Sequence, residues 1–163
     1  MPKFIPNTVI KYQHSPSSKP EHFTAPDAMP NYGTKIQHES TNDQVSTLSD
    51  EDKKFVQRAI GTILHYACAL DNTMLTELSD LLSEQSIGNE KTLIKLKQTL
   101  NYVQTHHNAR MRYCESMMII QAHIDTSYLS APKSRSRTGG DFFLGRNPMK
   151  PDKSKLNVAI LVV

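Results

Sequence analysis

Apolar residues recur every three or four positions through the middle third of the chain, which is the spacing of a helix that packs on one side. The clearest stripe follows Ser49 and consists of Phe55, Val56, Ala59, Ile60, Ile63, Leu64 and Ala67. Ser49 can cap the first turn of this helix, and the acidic residues Asp50, Glu51 and Asp52 suit the positive end of its dipole. The pattern therefore predicts a long helix that begins just after Ser49.

Two shorter stripes follow with little sequence between them. Asp71 or Asn72 can end the first helix, and a second stripe runs up to Gly88 through Leu75, Leu78 and Leu82. Asn89 can cap a third helix, whose apolar face consists of Leu93, Leu96, Leu100 and Val103. Because the connections are short, we expect the three helices to pack together as one helical segment, residues 48–109.

The flanking regions have different patterns. Residues 1–47 contain six of the nine prolines and no sustained periodicity, so we expect an extended or disordered leader. Residues 110–163 contain β-prone runs, with Glu115-Ser116 as a tight turn between the first two and Met117 to Ile120 apolar on both faces, as in a buried strand. The expected fold class is α+β: a three-helix segment followed by antiparallel strands of a truncated sheet.

Composition limits the size and setting of the fold. The chain has 163 residues, of which 37% are hydrophobic and 7% aromatic, with no Trp, so we expect one small folded unit. Cys68 and Cys114 lack the close Cys/His pairing of metal sites and are expected to be reduced core thiols, which favours an intracellular, cytoplasmic or nuclear, location. No apolar run is long enough for a membrane span, and the start lacks the apolar core of a secretory signal.

Charge is unevenly distributed along the chain. Residues 34–90 contain four Lys/Arg against ten Asp/Glu, whereas residues 110–163 contain nine Lys/Arg against four Asp/Glu. In "PKSRSRTGG", Lys133, Arg135 and Arg137 occupy alternate positions, so in an extended conformation they could contact a phosphate backbone together. A solvated hairpin loop would have the same composition, and both interpretations stay open.

One carboxylate, Asp125, follows an apolar run in "IIQAHIDTSYLS". It could be a structural residue that accepts a hydrogen bond from a turn, or a metal ligand. The second interpretation requires further carboxylates, since two-metal phosphoryl chemistry uses several of them around Mg²⁺, and Asp141 is the nearest candidate. His106 and His107 are adjacent rather than four apart, so one helix face cannot present both to a metal, and we expect them in a loop.

Several motifs in order resemble one known family. They are "MPKFIPNTVIKYQH", "YGTKIQ", "LSDEDKKFVQRAIGTILHYACALDNTML", "LKQTLNYVQTHHNARMRYC" and "AHIDTSYLSAPKSRSRTGGDFFLG". Over nearly its whole length the chain resembles the downstream part of the polymerase region of copia-type LTR retrotransposon polyproteins. That part comprises the connection region of the reverse transcriptase and the N-terminal part of the ribonuclease H domain.

The resemblance implies roles for individual residues. Asp125 matches the first metal-binding aspartate of the ribonuclease H site, where Mg²⁺ activates water against the RNA strand of an RNA/DNA hybrid. Lys133, Arg135 and Arg137 match the basic loop between the first two strands, and Leu156 to Val163 resembles the third strand. Three positions depart from the family pattern, which has Ser, Ala and His where this chain has Ile124, Thr126 and Asp141.

The resemblance also implies a limited function for this chain. In the family, the polymerase aspartates lie upstream of the part matching Met1, and the remaining ribonuclease H carboxylates lie downstream of the part matching Val163. We therefore expect no complete catalytic site, no stably bound Mg²⁺ and no small-molecule cofactor. The expected partners are RNA/DNA hybrid, bound weakly, and the rest of the polyprotein, with no membrane. The alternative is a non-catalytic helical interaction module with a basic nucleic-acid-binding loop.

Overall fold

The computed structural model describes residues 3–15, 17–26, 47–131, 135–146 and 157–162. The helices are α1 (Phe4–Lys11), α2 (Asp50–Leu70), α3 (Leu75–Glu84) and α4 (Glu90–Thr105), with a 3-10 turn at Asn72–Met74. The strands are β1 (Ile119–Ala131), β2 (Arg135–Gly145) and β3 (Ala159–Val162), which form an antiparallel sheet in the order β1-β2-β3. The described helices belong to one compact unit and the strands to a second, with the boundary between Arg110 and Met111. The expected mixture of helices followed by antiparallel strands is confirmed.

Both predicted helix caps are present. The Ser49 hydroxyl accepts a hydrogen bond from the Asp52 amide at 3.1 Å at the start of α2. At the start of α4, the Asn89 side chain accepts from the Thr92 amide, and the Thr92 hydroxyl accepts in return from the Asn89 amide, each at 3.2 Å. This reciprocal capping box satisfies two amide groups that a helix end otherwise leaves unpaired.

The three predicted helices share one hydrophobic core, in agreement with the apolar stripes. Its fully buried side chains come mainly from α2, α3 and α4, and they include Val56, Ile60, Ile63, Tyr66, Leu78, Leu81, Leu96, Leu100 and Val103. Leu75 and Leu82 are only partly buried against this core.

The expectation of an extended or disordered leader is wrong for residues 4–11, which form helix α1. Ile5 is 1% exposed and belongs to the core of the helical unit, while the Phe4 ring stacks on Tyr66 with 5.7 Å between ring centroids. Pro6 does not disrupt α1 because it lies in the first turn, where a backbone amide has no acceptor within the helix. Proline content therefore gave a misleading signal here.

A Schellman motif ends helix α1. Gln13 has a φ of +48°, and its amide donates to the Ile10 carbonyl at 3.0 Å, while the His14 amide donates to the Val9 carbonyl at 3.1 Å. These two bonds satisfy carbonyls that the helix end would leave free. A residue other than glycine at this position carries the Cβ penalty of the left-handed conformation.

Residues 17–26 lie along α4 and are held by polar contacts. The Glu21 amide donates to the Thr105 hydroxyl at 3.0 Å, and the Gln98 amide group donates to the Ala25 carbonyl at 2.6 Å. The Thr99 hydroxyl donates to the Thr24 carbonyl at 3.3 Å. An apolar period is not needed for such docking, so the sequence pattern did not reveal it. Positions 27–46 of the expected leader lie outside the described residues.

The β1-β2 hairpin is regular from Ile119, which pairs with Gly145, to Ser127, which pairs with Arg137. An irregularity follows before Ala131 pairs with Arg135. At the open end, a Cβ on Gly145 would clash with the Gln121 side-chain amide, so a larger residue there would require that flexible side chain to move.

Two expectations about the second half of the chain are corrected. Residues 109–118 form no strand, so Glu115-Ser116 is not a turn between two strands, and β1 begins only at Ile119. Met117, Met118 and Ile120 are 64, 69 and 69% exposed, in contrast to the buried strand that their apolar character predicted.

The environment of the cysteines also differs from expectation. Cys68 and Cys114 are free thiols, but both are exposed rather than in a core. No helix in the described part of the chain is both long enough and apolar enough to cross a membrane.

Candidate functional site

Asp125 lies in β1 opposite Gly139 of β2, and its carboxylate is exposed. One carboxylate oxygen accepts a hydrogen bond from the Thr126 amide at 2.9 Å. Because Gly139 has no side chain, no group directly across the strand pair covers the carboxylate. Asp125 is thus accessible, with one carboxylate oxygen bound to the backbone amide of the next residue.

Two further ionisable residues share this face of the hairpin. His123 lies directly opposite Asp141, and Gly139, the partner of Asp125, is two residues before Asp141. Directly paired residues and residues two apart project from the same face of a sheet, so His123, Asp125 and Asp141 lie on one face. The His123 ring also packs edge-to-face on Phe143, with 5.0 Å between centroids. The sequence had suggested Asp141 as the neighbour of Asp125, but it gave no reason to consider His123.

These residues do not supply a complete magnesium site. Mg²⁺ prefers about six oxygen ligands in octahedral geometry, usually including more than one carboxylate. In the described part of the chain, no three His, Cys, Asp or Glu side chains come together as a group that could hold a metal ion. We therefore derive no catalytic step through Mg²⁺ from this chain alone.

The three basic residues of the expected loop are placed differently from one another. Arg135 and Arg137 lie within strand β2 rather than in a loop, so the loop prediction is wrong for both. Arg137 pairs with Ser127, two residues beyond Asp125 on the neighbouring strand. Lys133 lies outside the described residues. The register therefore brings the backbone of at least one basic residue next to the strand that carries Asp125.

The opposite face of the sheet is apolar and open to solvent. Ile120 and Ile124 of β1 are 69 and 66% exposed, and Leu161 of β3, which pairs with Phe142, is 54% exposed. Such a surface favours contact with another apolar surface.

The helical unit contains a buried polar cluster that the sequence pattern did not reveal. Asp71 is 8% exposed and accepts hydrogen bonds from the amide and hydroxyl of Thr73, whose hydroxyl is also 2.8 Å from that of Tyr102. Burial raises the pKa of Tyr66, and the negative charge of Asp71 raises it further. Among the described residues the Tyr66 hydroxyl has no hydrogen-bond partner, and the nearby backbone of Ala109 acts on its pKa in the opposite, lowering direction.

Two histidines far apart in sequence also meet in this unit. The His22 Nδ1 and His106 Nε2 atoms are 3.4 Å apart, and the ring centroids are separated by 5.4 Å. His106 is the C-cap of α4 and His107 follows the helix, in agreement with the expectation that neither lies on a helix face. The partner of His106 comes from the segment that was expected to be disordered, so sequence spacing alone could not identify it.

Comparison with known proteins yields no relative of this chain. No protein-family model matches it, and neither a curated protein nor a solved structure matches it. The functional interpretation therefore depends on the residues themselves and on the resemblance described above.

Proposed function

We propose that this chain is a fragment of a retrotransposon reverse transcriptase/ribonuclease H polyprotein. It would comprise the helical connection region and the first strands of the ribonuclease H domain, without a complete active site. The parent activities would be RNA-directed DNA synthesis and hydrolysis of the RNA strand of RNA/DNA hybrids. The role of the fragment itself would be weak, non-catalytic contact with nucleic acid.

The position of Asp125 is the observation that carries the proposal. An exposed carboxylate in the first strand of an antiparallel sheet, placed after a helical unit in the chain, is the arrangement that the resemblance implies. The order β1-β2-β3 further supports it, because the resemblance assigns three successive strands to the same segments. Arg137 pairs with Ser127 of β1, the strand that contains Asp125. A basic residue at this position is compatible with contact to the phosphates of a nucleic acid along the hairpin.

The proposal predicts that the isolated chain does not hydrolyse RNA/DNA hybrid. A labelled hybrid is incubated with the full chain and MgCl₂, and the products are separated on a denaturing gel. An intact RNA strand is expected, because one metal-binding carboxylate cannot position the metal ions of a two-metal reaction. Mg²⁺-dependent cleavage that disappears in Asp125→Asn would contradict the incomplete site.

Hybrid binding tests the basic strand. The fluorescence anisotropy of a labelled hybrid is titrated at several salt concentrations with the native chain and with the double variant Arg135→Ala, Arg137→Ala. If both side chains contact phosphates, the double variant binds less tightly, and the slope of log K against log salt becomes shallower by about 2. The control is Lys54→Ala with Arg58→Ala, which removes the same charge from two exposed positions of α2 in the other unit.

Two results would count against nucleic-acid contact through β2. One is affinity that does not depend on salt. The other is an equal loss of affinity in the two double variants, because a general charge effect would then account for the binding.

The second candidate is a non-catalytic helical interaction module with a basic nucleic-acid-binding loop. The core cluster of the helical unit favours it, since every buried member of that cluster lies between Ile5 and Val103 and none comes from the sheet. In that case protein partners would contact the helices, and the Arg135 and Arg137 substitutions would weaken nucleic-acid binding without changing the affinity for those partners.

A further inference from the structure

We propose that His22 and His106 form a two-histidine site for a divalent zinc-type cation, which would fasten residues 17–26 to the C-terminal end of α4. This inference does not depend on the proposed function, because both residues lie in the helical unit and neither is among the residues assigned above to nucleic-acid contact.

The separation of the two ring nitrogens is the first argument. Nδ1 of His22 and Nε2 of His106 are 3.4 Å apart. A proton shared between the two nitrogens at this distance makes only a long, weak hydrogen bond, because the usual range ends at about 3.2 Å. Two imidazole nitrogens that each bind a tetrahedral Zn²⁺ at about 2.0 to 2.1 Å lie roughly 3.3 to 3.4 Å from each other. The observed separation therefore fits the spacing of two imidazole ligands on one tetrahedral cation.

The second argument is that the His106 ring and the backbone on either side of His22 are held in place. The Tyr102 ring packs against His106, with 4.5 Å between centroids. The residue before His22 is fixed by the hydrogen bond from the Glu21 amide to Thr105. Three further hydrogen bonds attach residues 23–25 to Gln98 and Thr99. A site held in this way loses little conformational entropy when it binds a metal.

The third argument is access and ligand chemistry. His22 is exposed and His106 is half-buried, so water can complete the coordination of a bound ion. Neutral imidazole is a favoured ligand for Zn²⁺ and related transition metals, whereas Mg²⁺ and Ca²⁺ prefer oxygen. Zn²⁺ and Co²⁺ are therefore the appropriate probes, and Mg²⁺ is the negative control.

A calorimetric titration of the full chain with ZnCl₂ tests the proposal. The chain is used without a histidine tag and with Cys68→Ser and Cys114→Ser, so that thiolates do not compete for the metal. One Zn²⁺ is expected to bind per chain, and His22→Gln or His106→Gln is expected to weaken binding by about tenfold or more. The matched control is His107→Gln, which removes the adjacent exposed imidazole and should leave the affinity unchanged.

Two further measurements separate ligand loss from a folding defect. Zn²⁺ should raise the midpoint of thermal unfolding of the starting chain and of His107→Gln, but not of His22→Gln or His106→Gln, because only a metal bound to the folded state stabilises it. Co²⁺ should give the intense visible absorption of tetrahedral coordination in the same two chains. Equal Zn²⁺ affinity in all four chains, or an octahedral Co²⁺ spectrum throughout, would overturn the proposal.

Discussion

Ile5→Ala tests whether helix α1 is an integral part of the helical core. Ile5 is 1% exposed, and the substitution removes three carbon atoms from a side chain that packs among buried residues of the helical unit. Three methylene equivalents at about 0.8 kcal/mol each give a transfer loss of roughly 2.4 kcal/mol. The cavity that remains adds to this loss, so the free energy of unfolding should fall by about 2 to 5 kcal/mol. For a domain of ordinary stability, about 5 to 15 kcal/mol, that is a large fraction of the total.

Urea denaturation followed by circular dichroism at the helical band measures this loss. The matched control is Ile10→Ala in the same helix, because Ile10 is 74% exposed and loses little buried area, so its effect should stay within about 0.5 kcal/mol. Both substitutions change helix propensity in the same way, and the difference between them isolates burial. Equal midpoints for the two variants would refute the packing of α1 into the core and restore the interpretation of a loose leader.

Three further predictions concern other parts of the chain. Because burial raises the pKa of Tyr66 above its ordinary value of 10.0, the folded chain should keep the phenolic proton to higher pH than the unfolded chain. The stability that Tyr66 contributes is therefore present below pH 10 and is lost as the pH rises through the pKa of the folded state. The urea midpoint of the native chain should fall at alkaline pH, and this fall should be smaller in Tyr66→Phe. An equal fall in the two chains would contradict the prediction. Gln13→Gly should raise the free energy of unfolding by up to about 1 kcal/mol in the same urea assay, because glycine adopts a positive φ without a Cβ penalty. A free energy of unfolding below that of the native chain would exclude strain at this position. The double variant Ile120→Thr, Ile124→Thr should reduce concentration-dependent association in sedimentation velocity, whereas Ile94→Thr, at an exposed position of α4, should not. Equal association of the two variants would show that chains do not associate through the apolar face of the sheet.

The helical unit could be predicted from sequence where local patterns coincide with tertiary packing. The stripe of α2, the Ser49 cap and the Asn89 cap each depend on residues within a few positions of one another, and all three are confirmed. Helix α1 was not predicted because the proline content of residues 1–47 and their lack of periodicity favour disorder, although Pro6 occupies the one helical turn that tolerates it. The burial of Ile5 depends on contacts with distant helices, which no local pattern encodes.

The sheet was predicted less accurately, for a physical reason. Met117 to Ile120 is apolar, but burial requires a second layer, and the described residues leave Met117, Met118 and Ile120 largely exposed. The candidate site also depends on contacts that the local sequence pattern does not specify. Asp125 and Asp141 could be selected by residue type, whereas His123 joins them only through the hairpin register. The pairing of His22 with His106 across 84 positions is likewise a tertiary contact.

The DNA sequence on either side of the reading frame tests the central claim most directly. If the chain is a fragment of a retrotransposon polyprotein, the upstream sequence should encode a polymerase motif of the Tyr-x-Asp-Asp type. The downstream sequence should encode an acidic helix that supplies the further ribonuclease H carboxylates. An intact promoter upstream, together with the absence of both coding motifs, would contradict the claim and favour the stand-alone helical module.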